Sequence, residues 1–264
     1  PLSSHPLIPQ GPTNPRSLLR TFGTDPTHPA SAPRVTLYRD HAAWCPYCAK
    51  VWLQLEAKRI PYKVVKVNMR CYGNKPPEYM RKVPSGLLPA LELDGRLYTE
   101  SAVIAQVLEE AFPEHKPLLP SPQDPSACTR HAALMRLERA LFSDWLGWLC
   151  QSGGHDARRA AFHRTLGMVE DALAGAPGGG PFFMGPSPAL ADCVFAPFLE
   201  RISASIPYYK GETVRVSKAA RAASPYPALN AWFDAMDGWD VYAGTKSDFY
   251  THVHDLPPQL GGCA

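Results

Sequence analysis

The sequence predicts an α/β plus all-α chain, and three observations carry that expectation. Strand-type and helix-type patterns alternate from Arg34 to Phe112, five prolines crowd residues 113–125, and the apolar repeats beyond that point have helical spacing. With 264 residues, 45% hydrophobic and 19% charged, the chain can bury a sizeable core and is too apolar to remain disordered. A net charge of +3 is small for this length and argues against nucleic acid as a partner. The long uncharged run over 172–191 holds five Gly and four Pro, so it is no membrane helix, and the chain is not expected to be transmembrane.

Residues 1–33 contain eight of the 29 prolines and little apolar periodicity, which describes an extended arm. Such an arm orders only against a docking surface, and the expectation is a protein partner that holds it. A strand then spans Val35 to Tyr38, a helix Pro46 to Lys58 and a second strand Tyr62 to Asn68. Asp94-Gly95 between Ala90–Leu93 and Arg96–Thr99 is a two-residue type I′ hairpin signal. Val103, Ile104, Val107, Leu108 and Ala111 repeat helically up to Pro113. This order matches a thioredoxin-like layer over 34–112.

The linker is 113–125, because no helix or central strand absorbs that many prolines. The all-helical domain is 126–240. Its stripes are Leu134, Leu137, Leu141, Trp145 and Trp148; Phe162, Leu166, Val169 and Leu173; Leu190, Val194, Phe198 and Ile202; and Leu229, Trp232, Phe233 and Met236. Residues 175–188 read as a loop between helices. The extension 241–264, with Phe249, Tyr250, His252 and His254, is expected to fold back on its own core. His252 and His254 alternate as on a strand, and two His without a third ligand ordinarily make hydrogen bonds rather than a metal site.

Seven cysteines at irregular spacing exclude a secreted disulfide framework and indicate a reducing compartment. Cys45 and Cys48 stand alone as a close pair, in Cys45-Pro46-Tyr47-Cys48, where a loop gives way to a helix. Pro46 suits the first helical turn, which places Cys45 at the helix N-terminus. Unpaired N–H groups and the positive end of the helix dipole stabilise a thiolate there. Cys48, one turn on, can resolve a mixed disulfide formed on Cys45. The alternative, half of a zinc site, lacks a second C-x-x-C or a suitable His pair, and no metal is expected.

These residues, with Asn74-Lys75-Pro76, Gly86-Leu87-Leu88-Pro89-Ala90-Leu91-Glu92 and Tyr98-Thr99-Glu100-Ser101, resemble the glutathione transferase superfamily. The likeness is to its cysteine-dependent branch, omega-like and iota-like, with a glutaredoxin-like motif, and covers about 34–240. It implies an N-terminal thioredoxin-like domain, an all-helical C-terminal domain, and glutathione as co-substrate. By the resemblance, Pro89 is cis and Leu88 offers its backbone to the cysteinyl part of glutathione. Glu100 and Ser101 hold the γ-glutamyl end, and Lys75 approaches the glycyl carboxylate. Read without the resemblance, Ser101 is an N-cap and Lys75 a solvated loop lysine. Phe182-Phe183-Met184-Gly185 and Ala189-Leu190-Ala191-Asp192 resemble the family's turn and helix-capping box, with Ala189 where a Ser or Thr cap normally stands.

A cysteine nucleophile implies strong thiol transfer and weak conjugation. The expected activity is glutathione-dependent thiol transfer on a small disulfide or oxidised substrate, deglutathionylation or dehydroascorbate-type reduction. The alternative is a transferase-fold subunit or scaffold of a larger assembly, gripped through its arm and tail. The tail resembles extensions found in transferase-like proteins of photosynthetic organisms, which implies a chloroplast; the alternative location is the cytoplasm.

Overall fold

Alternation of apolar residues builds the first layer, because successive strand side chains point to opposite faces of a sheet. The computed structural model describes residues 15–22, 33–69, 73–254 and 256. They divide into two units, one through residue 116 and one from 117. The first holds β1 (Leu19–Arg20), β2 (Val35–Asp40), α1 (Pro46–Lys58), β3 (Tyr62–Val67), α2 (Pro77–Lys82), β4 (Ala90–Leu93), β5 (Arg96–Thr99) and α3 (Ser101–Ala111). The strands lie in the order β1-β3-β2-β4-β5, with β2 and β3 parallel and the other pairs antiparallel. Val35, Leu37, Leu91 and Leu93 pack with Trp52 and Leu55 of α1 and Ile104 and Leu108 of α3. Tyr38 and Ala90 pack instead with Tyr79 and Val83, at α2. The Asp94-Gly95 turn has both central residues at positive φ, 50° and 79°, as a type I′ turn requires.

The arm departs from expectation. Its described part, residues 15–22, docks on the chain's own sheet. Leu19 and Arg20 pair antiparallel with Lys63 and Tyr62, and Val64 N–H donates to the Leu18 carbonyl at 2.7 Å. Arg20 then grips the buried Glu56 carboxylate through Nε and Nη2, at 2.8 to 3.1 Å. Tyr62 donates its hydroxyl to the same carboxylate at 2.6 Å. Composition hid this: the anchor is one strand pair and one ion pair, neither of which needs an apolar stripe. Residues 1–14 and 23–32 lie outside the described residues.

The second unit contains α4 (Pro125–Cys150), α5 (His155–Ala174), α6 (Leu190–Lys210), α7 (Pro227–Asp237), α8 (Asp240–Thr245) and α9 (Phe249–His254). Trp145, Trp148, Phe162, Leu166, Phe198, Trp232 and Phe233 are buried, as the helical stripes require. No described helix is long and apolar enough to cross a membrane. At the start of α6, Ala189 contributes no side-chain cap, while Asp192 supplies the other half of the box by accepting from Ala189 N–H at 2.9 Å. The same carboxylate accepts from Phe183 N–H at 3.2 Å and Trp232 Nε1 at 2.8 Å, so it ties the loop before α6 to α7. Residues 249–254 do fold back, packing on α6, but as a turn of helix and not a strand. His252 is buried beside Glu200, with Nε2 3.5 Å from the carboxylate, while His254 faces solvent.

Two predictions follow from these anchors. Arg20→Ala leaves the Glu56 carboxylate buried without its guanidinium, and the expected cost is about 3 kcal/mol in denaturant unfolding, with new proteolytic cleavage within residues 15–22; an unchanged midpoint and cleavage pattern would disconnect the arm from the fold. Asp192 is pushed up to about 6 from 3.8 by burial, against the pull of its four donors, the N–H groups of Ala189, Phe183 and Asp192 itself and the Trp232 indole. A raised carboxyl contributes stability that is fully present below its unfolded pKa and lost as pH rises through about 6. Between pH 7 and pH 4 the parent should therefore gain up to about 3 kcal/mol relative to Asp192→Asn, read from paired denaturation curves.

Candidate active site

Strand β2 ends at Asp40, and the chain turns through Ala43, at φ 58°, into Cys45 at the N-cap of α1. Pro46 occupies the first helical position, where its fixed φ and missing N–H cost nothing, and keeps Cys45 extended at φ −60°, ψ 116°. The first turn of α1 carries no acidic residue and no side-chain cap, so its N–H groups and positive dipole end bear on the Cys45 sulfur. That is the setting in which a thiol becomes a thiolate near neutral pH. Cys48, one turn along, is buried. Burial first, then the neighbouring Cys45 and the charge of Asp40, push its thiol well above the ordinary range. Cys48 therefore rests as a protonated thiol.

Two residues that the sequence reading missed complete this end of the sheet. Asp40 is fully buried, and its Oδ2 accepts from Trp44 N–H at 2.6 Å. The Asp40 carboxylate and the two sulfurs all lie within 4.8 Å of one another, the one group of three potential metal-ligating side chains found this close among the described residues. Tyr79, on α2, donates its hydroxyl to the Leu87 carbonyl at 2.6 Å. Burial first, then the neighbouring Cys48 and Cys45, raises its phenol, so it stays a donor. A charged residue closing the apolar strand Val35–Tyr38 was the available signal for Asp40. None pointed to Tyr79, because Asn74-Lys75-Pro76-Pro77 reads as loop, whereas Pro77 takes the first position of α2.

Register brings the remaining candidates to this same end. Tyr38 pairs with Ala90 and Ala90 with Thr99, so Pro89 and Glu100 flank the end of β2. The Leu88–Pro89 peptide is cis, Leu88 is half-buried and Pro89 buried. Asp40 pairs with Val67, and Lys75 donates Nζ to the carbonyl of the following Asn68 at 3.0 Å. Lys75 is thus tied down rather than a freely solvated lysine. Glu100 holds φ 66°, ψ 113°, a backbone conformation rare for a residue with a side chain, and it occupies the N-cap of α3. Ser101 is the first helical residue, so the reading of Ser101 as an N-cap is overturned.

The profile for the glutathione S-transferase N-terminal domain matches residues 44–111, and that for the C-terminal domain matches residues 152–235. The chain belongs to the glutathione transferase superfamily. It is 29% identical to the chloroplastic glutathione S-transferase DHAR3 of Arabidopsis thaliana over 83% of this chain and 75% of that protein. It is 26% identical to mouse (Mus musculus) glutathione S-transferase omega-1 over 88% and 90% of the two chains. The crystal structure of glutathione transferase Omega 3C from Trametes versicolor superposes with a TM-score of 0.71 at 25% identity, covering 88% of this chain and 92% of that one. This family member is accordingly a glutathione-dependent enzyme of the cysteine-dependent kind, with glutathione as co-substrate.

The two thiols should differ sharply toward an alkylating agent. Iodoacetamide is expected to modify Cys45 with an inflection below about pH 8 and ahead of Cys48 and Cys193, which like it are buried but do not stand at a helix N-cap, with peptide mass spectrometry assigning the order. An inflection at the ordinary thiol value would show that the helix N-terminus does not activate Cys45.

Proposed function

We propose that the protein is a thiol transferase in which Cys45 is the nucleophile, Cys48 the resolving thiol, and a glutathione mixed disulfide or comparable small oxidised compound the substrate. The observation that carries this reading is Cys45 at the uncapped N-terminus of α1 with a protonated Cys48 buried one turn behind it. The Cys45 thiolate attacks the glutathionyl sulfur, a Cys45–glutathione disulfide forms, and the substrate leaves as a reduced thiol after taking a proton. A second glutathione then attacks the adduct, releasing oxidised glutathione and restoring the Cys45 thiolate. Alternatively Cys48 attacks, releasing glutathione and leaving a Cys45–Cys48 disulfide for two further glutathiones to reduce. Dehydroascorbate would meet the same nucleophile.

Glutathione in this reading lies along the end of the sheet assembled above. The Leu88 backbone beside Pro89 takes its cysteinyl part, Glu100 and Ser101 its γ-glutamyl end, and Lys75 its glycyl carboxylate. The strained backbone at Glu100 supports the second assignment, since such conformations persist at ligand clamps. A chloroplast location draws support from the tail's resemblance and from the chloroplastic relative; the cytoplasm is the alternative. The scaffold reading has lost the observation behind it, because the described part of the arm is gripped by this chain's own Glu56 and β3.

The test is thiol transfer on the mixed disulfide of glutathione and mercaptoethanol. Cys45→Ser is expected to lose at least about 100-fold in turnover, the scale for removing a group that acts in the transition state. Cys48→Ser should keep glutathione-dependent turnover and lose only the internal disulfide. A Cys45→Ser enzyme as active as the parent would end the proposal.

A further inference from the structure

We propose that Asp40 is the general base that deprotonates Cys48 as its sulfur closes on a Cys45 mixed disulfide. The inference deepens the thiol-transfer reading above and rests on it. Cys48 is almost fully excluded from solvent, so water cannot readily collect its proton, and an attacking sulfur must lose that proton as the new bond forms. The Asp40 carboxylate lies within 4.8 Å of both sulfurs. Its Oδ2 is held by Trp44 N–H, which fixes the plane of the group, while among the described residues no donor meets its buried Oδ1. A buried carboxylate oxygen left without a donor is costly, and a catalytic role is one reason for such a group to be kept.

The surrounding groups leave this role to Asp40. Tyr79 from α2 is engaged with the Leu87 carbonyl and stays protonated. Arg39, beside Asp40 on β2, donates to the Asp40 backbone carbonyl at 2.8 Å and lies over the Trp52 ring, 4.4 Å from its centroid. Tyr38, also on β2, donates its hydroxyl to Glu92 at 3.1 Å. Cys45, at the start of α1, is the atom under attack. In the step itself the Cys48–Cys45 S–S bond forms and the Cys45–glutathione S–S bond breaks. Cys48 is oxidised, the glutathione sulfur is reduced, and the proton passes from Cys48 to Asp40 and on to the departing glutathione.

Asp40 also bears negative charge, and that charge raises the Cys48 thiol. The two effects predict opposite results for Asp40→Asn. Loss of a base slows closure, whereas loss of a repelling charge speeds it. The experiment loads Cys45 with the chromogenic aryl disulfide dithiobis(nitrobenzoate), in a background with Cys71, Cys128, Cys150 and Cys263 replaced by Ser. Release of the second nitrothiobenzoate reports attack by Cys48. Parent closure should rise with pH less steeply than the thiol's own ionisation would make it. Asp40→Asn should close about 100-fold more slowly at pH 7, with the gap shrinking toward pH 10, and Asp40→Glu should recover part of the rate. Closure by Asp40→Asn as fast as the parent or faster overturns the proposal. So does a parent rate that climbs tenfold per pH unit through to pH 10, a result that needs no variant to fold. The aryl reagent loads Cys45 without glutathione, so failure of the glutathione reading appears separately, as an absent glutathione adduct.

Discussion

The positive end of α1 meeting the sulfur of Cys45 is the interaction on which the chemistry of this molecule depends. An α-helix leaves its first N–H groups unpaired; at the start of α4 the Asp124 side chain takes up Ala127 N–H, while α2, α3 and α5 have no side-chain cap. At α1 no side chain does so. Pro46 removes one of the orphan donors and keeps Cys45 extended at the N-cap, outside the helix. A thiol at a cap position is worth little as a thiol and much as a thiolate, so the geometry that ends the loop also suits the role proposed for Cys45.

Around that point the sheet works as a positioning frame. The pairing Tyr38 to Ala90 to Thr99 sets the cis Leu88–Pro89 peptide and the constrained Glu100 backbone beside the end of β2, and the pairing of Asp40 with Val67 sets Asn68 and Lys75 there too. A slip of one residue would reverse every side chain on a strand, so the hydrophobic faces that fix the register also fix the site. Both cysteines are buried, and their places on α1 and beside Asp40 set them apart. Cys45 stands at the helix N-terminus, while Cys48, one turn on and beside Asp40, is held as a protonated thiol.

The arm shows how a segment poor in apolar residues becomes ordered. Two strand residues and the Arg20–Glu56–Tyr62 cluster anchor it, and a charge pair of this kind is retained because breaking it strands a buried carboxylate. Phe22 adds a face over which both Arg20 and Arg59 lie, at 4.1 and 5.3 Å from the ring centroid. The Tyr62–Val64 part of the β3 edge is thereby covered by the chain itself, which shortens the stretch of that edge open to pairing with other molecules.

Local signals were sufficient for much of this. Pro46 at N1 and the apolar run behind it placed α1 at the residues it occupies, Asp94-Gly95 placed the hairpin, and helical spacing placed the buried tryptophans of the second unit. The Cys45–Cys48 pair was legible because its chemistry needs only the spacing of one helical turn. Tertiary structure alone decided the rest. Asp40 became part of the site through strand packing that buries it behind the thiols, and Tyr79 through a short helix whose prolines resemble a loop. Arg20 found Glu56 across 36 residues, and His252 was buried by packing α9 on α6. Each of these depends on burial and on contacts between distant segments. Neither leaves a periodic or local trace, because the energy that fixes them arises only when the surfaces meet.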